Sequence, residues 1–138
     1  MATKNQPTVV DQYAQSRSFA ELARCRKVIE EALQYTGGTH TFEDVVAAVL
    51  GNRFQFWPGA ESAVVTEVLV YPRMRELHYF LAGGNSRELD AMRPMIEAWG
   101  KSVNCTRVSL SGRKGWNKSF LIAAGYKPVL YTLAKELV

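Results

Sequence analysis

At 138 residues and 47% hydrophobic content, the chain is long enough for one domain with a core of its own. Its 17 basic residues are scattered and offset by 13 acidic ones, for a net charge of +4, so it lacks the dense basic stripe that specific nucleic-acid recognition needs. No apolar run is long enough to span a bilayer, and the polar start MATKNQPTVV holds no signal-peptide core; cytoplasmic synthesis without a membrane step is expected.

Residues 1–10 read as a polar tail and residues 11–138 as a single domain. From about Gln12 to Gln34 the spacing predicts a helix, with Phe19, Leu22, Cys25, Ile29 and Leu33 on one face, stopped by Gly37-Gly38. Thr41 with Asp44 three residues on is a capping box, opening a helix through Leu50 with Gly51 as its stop. Phe54 to Trp57 reads as a short strand ended by Pro58-Gly59. Ala63 to Tyr71 and Arg75 to Ala82 read as a hairpin turned at Pro72-Arg73.

After Gly83-Gly84, Asn85 is an N-cap with Glu88 at N3, a variant capping box. Leu89, Met92, Ile96, Trp99 and Val103 then mark one face of a helix. Pro94 either kinks that helix or marks a later start for it. A strand at Thr106–Leu110, a basic loop from Ser111 to Gly115, a helix from Trp116 to Ala124 and a last strand from Val129 to Leu137 complete the chain. The class is α/β (α+β): a mixed, mostly antiparallel sheet flanked by helices, in the order α-α-β-β-β-α-β-α-β.

Chemistry-bearing residues are sparse. Cys25 and Cys105, eighty residues apart on predicted core faces, read as buried thiols, with a single disulfide as the other reading. His40 and His78 have no partners at ligand spacing, so no metal site is expected, and His78 reads as a structural strand histidine. The loop Ser111-Gly112-Arg113-Lys114-Gly115 lacks Walker spacing; Arg113, Lys114 and the following Trp116 suit a phosphate or an acidic patch on a partner. Trp57, Trp99 and Trp116 read as core or interface anchors.

The element order and the ending Phe120-Leu121-Ile122-Ala123-Ala124-Gly125-Tyr126 resemble the GNAT superfamily of N-acetyltransferases, over roughly Ala14 to Val138. Phe56-Trp57-Pro58-Gly59, Phe80-Leu81-Ala82-Gly83-Gly84 and Gly112-Arg113-Lys114-Gly115-Trp116 look like segments found in this order in small GNAT-like proteins of tailed bacteriophages. The resemblance implies that Leu81, Ala82, Gly83, Gly84, Asn85, Ser86 and Arg87 hold the acetyl-CoA cofactor, the helix N-terminus and Arg87 facing its phosphates. The family's Arg/Gln-x-x-Gly-x-Gly/Ala loop is missing, however, and two glycines in a sharp turn beside a solvated Arg87 is the plainer reading.

The family's acid, a tyrosine four residues before the Gly-aromatic pair, falls here on Leu121, which has no proton to give; Tyr126 and Tyr131 are substitutes or plain core aromatics. Its base, a glutamate on the middle strands, falls on Glu67 or Glu76. Glu67 interrupts an apolar run, so it is either a tuned base or a paired or edge carboxylate. These departures favour a virion-associated structural or adaptor protein of a tailed phage, without catalysis or cofactor. Its partners are then other virion proteins of the head–tail or tail region, and its place is the host cytoplasm, then the virion. On that reading acetyl-CoA does not raise the melting temperature. The alternative is an acyl-CoA-dependent N-acetyltransferase with a divergent cofactor loop.

Overall fold

The computed structural model describes residues 18–112, 115–116 and 119–138. The expected tail, the start of the predicted first helix and the basic pair Arg113 and Lys114 lie outside them. Residues 18–33 are helical with one irregularity at Cys25, where ψ moves to 4°; α1 is the part from Arg26 to Leu33. The hydrogen bonds Cys25 N to Glu21 O and Ile29 N to Cys25 O, both 3.0 Å, carry the spiral across the break. Leu22, Cys25, Ile29 and Leu33 are buried, as their spacing requires, whereas Phe19, expected on the same face, is 57% exposed.

The second helix, α2 (Phe42–Leu50), has the full capping box: the Asp44 N–H donates to the Thr41 hydroxyl, and the Thr41 N–H donates to the Asp44 carboxylate. Strands β1 (Phe54–Pro58), β2 (Ala63–Tyr71) and β3 (Met74–Gly83) form an antiparallel meander. Helix α3 (Ser86–Ser102) then leads to β4 (Arg107–Leu110), which pairs parallel to β3, and α4 (Phe120–Ala123) follows. The order across the open sheet is β1-β2-β3-β4.

This is a mixed α/β fold in three layers. α1 and α2 cover one face, around Ile29, Val45, Phe54, Val65 and Leu81. α3 covers the other, around Val64, Leu77, Tyr79, Leu89 and Ile96, with the three tryptophans, Phe120 and Tyr126 packed against that cluster. Leu77 and Ile96, each 1% exposed, contribute roughly 1.5–3 kcal/mol apiece by leaving water. Gly100 lets α3 approach β3 closely, since a Cβ there would lie 2.8 Å from Leu77 Cδ2. Pro94 lies inside one continuous helix, so the later start is excluded. Cys25 and Cys105 are free thiols in opposite layers, which excludes the disulfide.

Other local expectations fail. Of the helix expected from Trp116 to Ala124, the α-helical part is Phe120–Ala123, capped by the Ser119 hydroxyl. Asn85 does cap α3, accepting from the Glu88 N–H at 3.0 Å, but Glu88 does not reach back to close the box. Its carboxylate accepts the Ala60 and Glu61 N–H groups, both at 2.9 Å, and the Asn85 N–H donates to Ser62 Oγ instead. Those buried or turn donors at 60–62 lie far off in sequence, so residue spacing alone does not reveal them. The expected last strand, Val129–Leu137, is absent: residues 126–138 have neither helix nor strand, and Leu130, Tyr131 and Leu133 are at least 80% exposed. Alternation makes a strand only where a neighbour completes its ladder, and the four-residue β4 has no second strand beside it among the described residues.

The hydrogen-bonded carboxylates set an acid limit on stability. Backbone and hydroxyl donors of Thr41 hold Asp44 below its ordinary value, and the Ser62 hydroxyl with the Glu61 and Ala60 N–H groups do the same for Glu88. A depressed folded-state pKa contributes stability that is present above the ordinary carboxylate range and lost as pH falls through the folded value. The melting temperature is therefore expected to drop progressively below about pH 4. Thermal melts of Glu88→Gln against the parent check this; the variant is expected to show a shallower acid slope.

Candidate functional site

The site follows from a mismatch of lengths. β3 has ten residues and β4 four, and their pairing covers Glu76–Tyr79 against Arg107–Leu110. Beyond the Tyr79–Leu110 pair the two strands part, and among the described residues no strand lies along the edge of Phe80–Gly83 on that side. The gap is a cleft of about 830 Å³, lined by Tyr79 to Gly83 along β3, by Gly84 just beyond it, and by Leu110, Ser111, Gly112, Trp116, Phe120 and Leu121 opposite. Val28, Ala32 and the α1 exit at Gln34–Thr36 close one end. Its volume lies in the range of small-molecule sites. A strand edge inside a cleft offers backbone N–H and C=O groups to an extended ligand bearing amides of its own.

A β-bulge shapes the wall. Val65 pairs with Leu81 but Thr66 pairs with Tyr79, so Phe80 is the extra residue. The bulge flips side-chain alternation at the point where the strands separate, a common feature beside binding sites. Phe80 packs on Phe54 and His40, with ring centroids 4.8 and 4.5 Å apart, which gives His40 a structural role.

At the vertex of the cleft stands a carboxylate–imidazole pair. His78 lies directly opposite Glu67 across β2 and β3, and its Nδ1 is 3.1 Å from Glu67 Oε2. Both are part-buried, at 17% and 26% side-chain exposure, so the contact is shielded from water. Donation of the Nδ1 proton to Glu67 leaves Nε2 as the acceptor, and Nε2 is 3.5 Å from Ser111 Oγ. Glu67 is thus a paired carboxylate, its partner a histidine rather than an arginine, and His78 carries the pair to the cleft wall. Glu76 is occupied elsewhere: buried, it is bridged by Arg107 from β4.

The residues expected at the cofactor loop divide. Leu81, Ala82, Gly83 and Gly84 line the cleft, whereas Ser86 and Arg87 line a neighbouring depression that meets it at Phe120. Asn85 is used in capping α3. The two glycines also have structural work: Gly84 has φ +113° and lies against Glu61 and Ser62, and a Cβ on Gly83 would sit 3.2 Å from Val28 Cγ1. Arg87 is exposed.

Of the tyrosines, Tyr126 donates to Glu97 at 2.6 Å, and burial pushes its pKa up. Tyr131 is 80% exposed and outside the cleft. Leu121 is buried in the cleft wall. Tyr79, in the expected strand but without an expected role, has its hydroxyl buried near Tyr126 with no well-formed hydrogen bond, and burial raises its pKa to about 12. Trp116 is half-buried against Phe120 and Gly112, an anchor of the loop more than an outward contact. Among the described residues, no three metal-ligating side chains come together, and no helix is long and apolar enough to cross a membrane.

No family model matches the chain, and no curated protein matches it. Among solved structures, the tetramutant of BH1408 protein from Bacillus halodurans is similar, with a TM-score of 0.55 at 15% identity over 96% of this chain and 98% of that one. A likeness at that identity speaks to the fold alone.

Proposed function

We propose that the chain is a GNAT-like acyltransferase that uses an acyl-CoA thioester to acylate an amine. The carrying observation is the parting of β3 and β4 at Tyr79–Leu110, which leaves a bare strand edge in an open cleft with a carboxylate–histidine pair at its vertex. The pantetheine arm of coenzyme A is an extended chain with two amides, the kind of ligand that a free strand edge can bind by its backbone. In this reading the thioester lies at the vertex. His78 Nε2 takes the proton from the attacking amine, and Glu67, bonded to Nδ1, orients the ring and stabilises the imidazolium. The nitrogen bonds to the acyl carbon, the C–S bond breaks, and the departing sulfur takes the proton from the His78 imidazolium, leaving as the thiol and restoring the neutral ring. The sequence expectation that acetyl-CoA does not bind rested on a missing loop motif. The open cleft supports the opposite outcome, with the ligand held along the strand edge and not chiefly by the phosphates. Near-millimolar acetyl-CoA is expected to raise the melting temperature by several degrees, because a ligand that binds only the folded state stabilises it.

A second reading is favoured by a different observation. Val129, Leu130, Tyr131, Leu133 and Leu137 expose a run of apolar side chains that none of the described residues covers. As a docking strand for another virion protein of the head–tail or tail region, this segment would make the chain an adaptor. Absence of any acetyl-CoA shift would favour that reading.

A further inference from the structure

We infer that Ser111 is a nucleophile and that Ser111, His78 and Glu67 form an acyl-accepting relay, giving the cleft an esterase or thioesterase activity toward small acyl groups. The three side chains come from three elements and meet in sequence: Ser111 Oγ to His78 Nε2 at 3.5 Å, His78 Nδ1 to Glu67 Oε2 at 3.1 Å. This is the nucleophile–base–orienter order that activates a hydroxyl, and spacing somewhat longer than a tight hydrogen bond is common before substrate arrives. Ser111 is exposed and lines the cleft with His78, so an acyl carbonyl can reach it. Its placement is fixed on both sides: β4 ends at Leu110 in register with Tyr79, and Gly112 lies against the Trp116 ring, where a Cβ would come within 2.6 Å. Phe80 to Gly83 of the bare edge line the same cleft, and backbone N–H groups are the donor type that stabilises an oxyanion.

The step balances without any further reagent. Ser111 Oγ bonds to the acyl carbon as its proton passes to His78 Nε2. The bond from that carbon to the leaving oxygen or sulfur breaks, and the leaving group takes the proton from the imidazolium. Water, deprotonated by the same nitrogen, then attacks the Ser111 ester and releases the acid, restoring the hydroxyl. The relay shares the cleft, His78 and Glu67 with acyl transfer to amines, and Ser111 and the absence of coenzyme A set it apart. A missing Ser111 burst leaves the amine reading standing, and a missing acetyl-CoA shift leaves the relay standing.

The test uses the full chain and p-nitrophenyl acetate, without coenzyme A. A burst of nitrophenolate stoichiometric with protein is expected, with one acetyl group localised by mass spectrometry to Ser111 within the tryptic peptide Val108–Arg113. Ser111→Ala, a change at an exposed residue, is expected to abolish both. His78→Gln should slow acylation by roughly 10²–10⁴-fold. Glu67→Gln, the positioning change, should slow it less and leave the acetylated serine as the product. Acetyl groups on lysines with none on Ser111, or a burst unchanged in Ser111→Ala, would overturn the inference.

Discussion

Gly84→Ala is expected to destabilise the domain by about 3 kcal/mol. Two effects add there. The backbone holds φ at +113°, where a side chain is strained by roughly 1–2 kcal/mol. The new methyl would also press on the Glu61 carbonyl and lie 2.6 Å from Ser62 Cα, and overpacking of that kind costs about 1–3 kcal/mol. The turn it pushes on is the one Glu88 and Asn85 hold, so relief would loosen the β3–α3 corner and the cleft wall with it. Gly37→Ala is the matched control. It too has positive φ, +76°, but no atom within 4 Å of the added carbon, and about 1 kcal/mol is expected. Denaturant melts of both variants give the comparison; equal losses would show that close approach at Gly84 does not matter.

The largest expected effect on turnover is at the vertex pair. Replacing His78 with glutamine should lower kcat for acetyl transfer from acetyl-CoA by roughly 10²–10⁴-fold, the range for a positioned proton acceptor. Glu67→Gln keeps the shape and removes the charge that stabilises the imidazolium, so a smaller fall in kcat is expected. Neither residue lies along Phe80–Gly83, where the arm of the ligand would lie, so KM for acetyl-CoA should hold nearly constant in both. Steady-state kinetics separates the two constants. A fall confined to KM would make the pair part of binding and not of proton transfer.

The parts of this site differ in how far the sequence reveals them. Helix α3 is legible because its signals are local: Asn85 before it, four apolar residues on one face, and Gly83-Gly84 in front. The Glu67–His78 pair is legible too, though the strand reading of His78 misses it. Counting outwards from the two-residue turn at Pro72-Arg73 sets Glu67 opposite His78, and side chains opposite one another in a sheet share a face. The bulge at Phe80 cannot be read this way, because it depends on where β2 and β3 adjust their register after meeting different layers. Ser111 and the cleft depend on β4 joining β3 across the whole of α3, a contact that no local pattern encodes. The missing last strand fails for the converse reason: Val129–Leu137 has the pattern but no strand beside it among the described residues.

The claim on which the proposed function depends is that the gap between β3 and β4 holds an acyl-CoA. Hydrogen–deuterium exchange of the full chain with and without saturating acetyl-CoA tests it at the backbone. Slower exchange is expected at residues 80–84 and 110–112, the two walls of the gap, with residues 127–138 unchanged. Exchange that is identical in both states at those walls, or protection confined to the C-terminal segment, would contradict it.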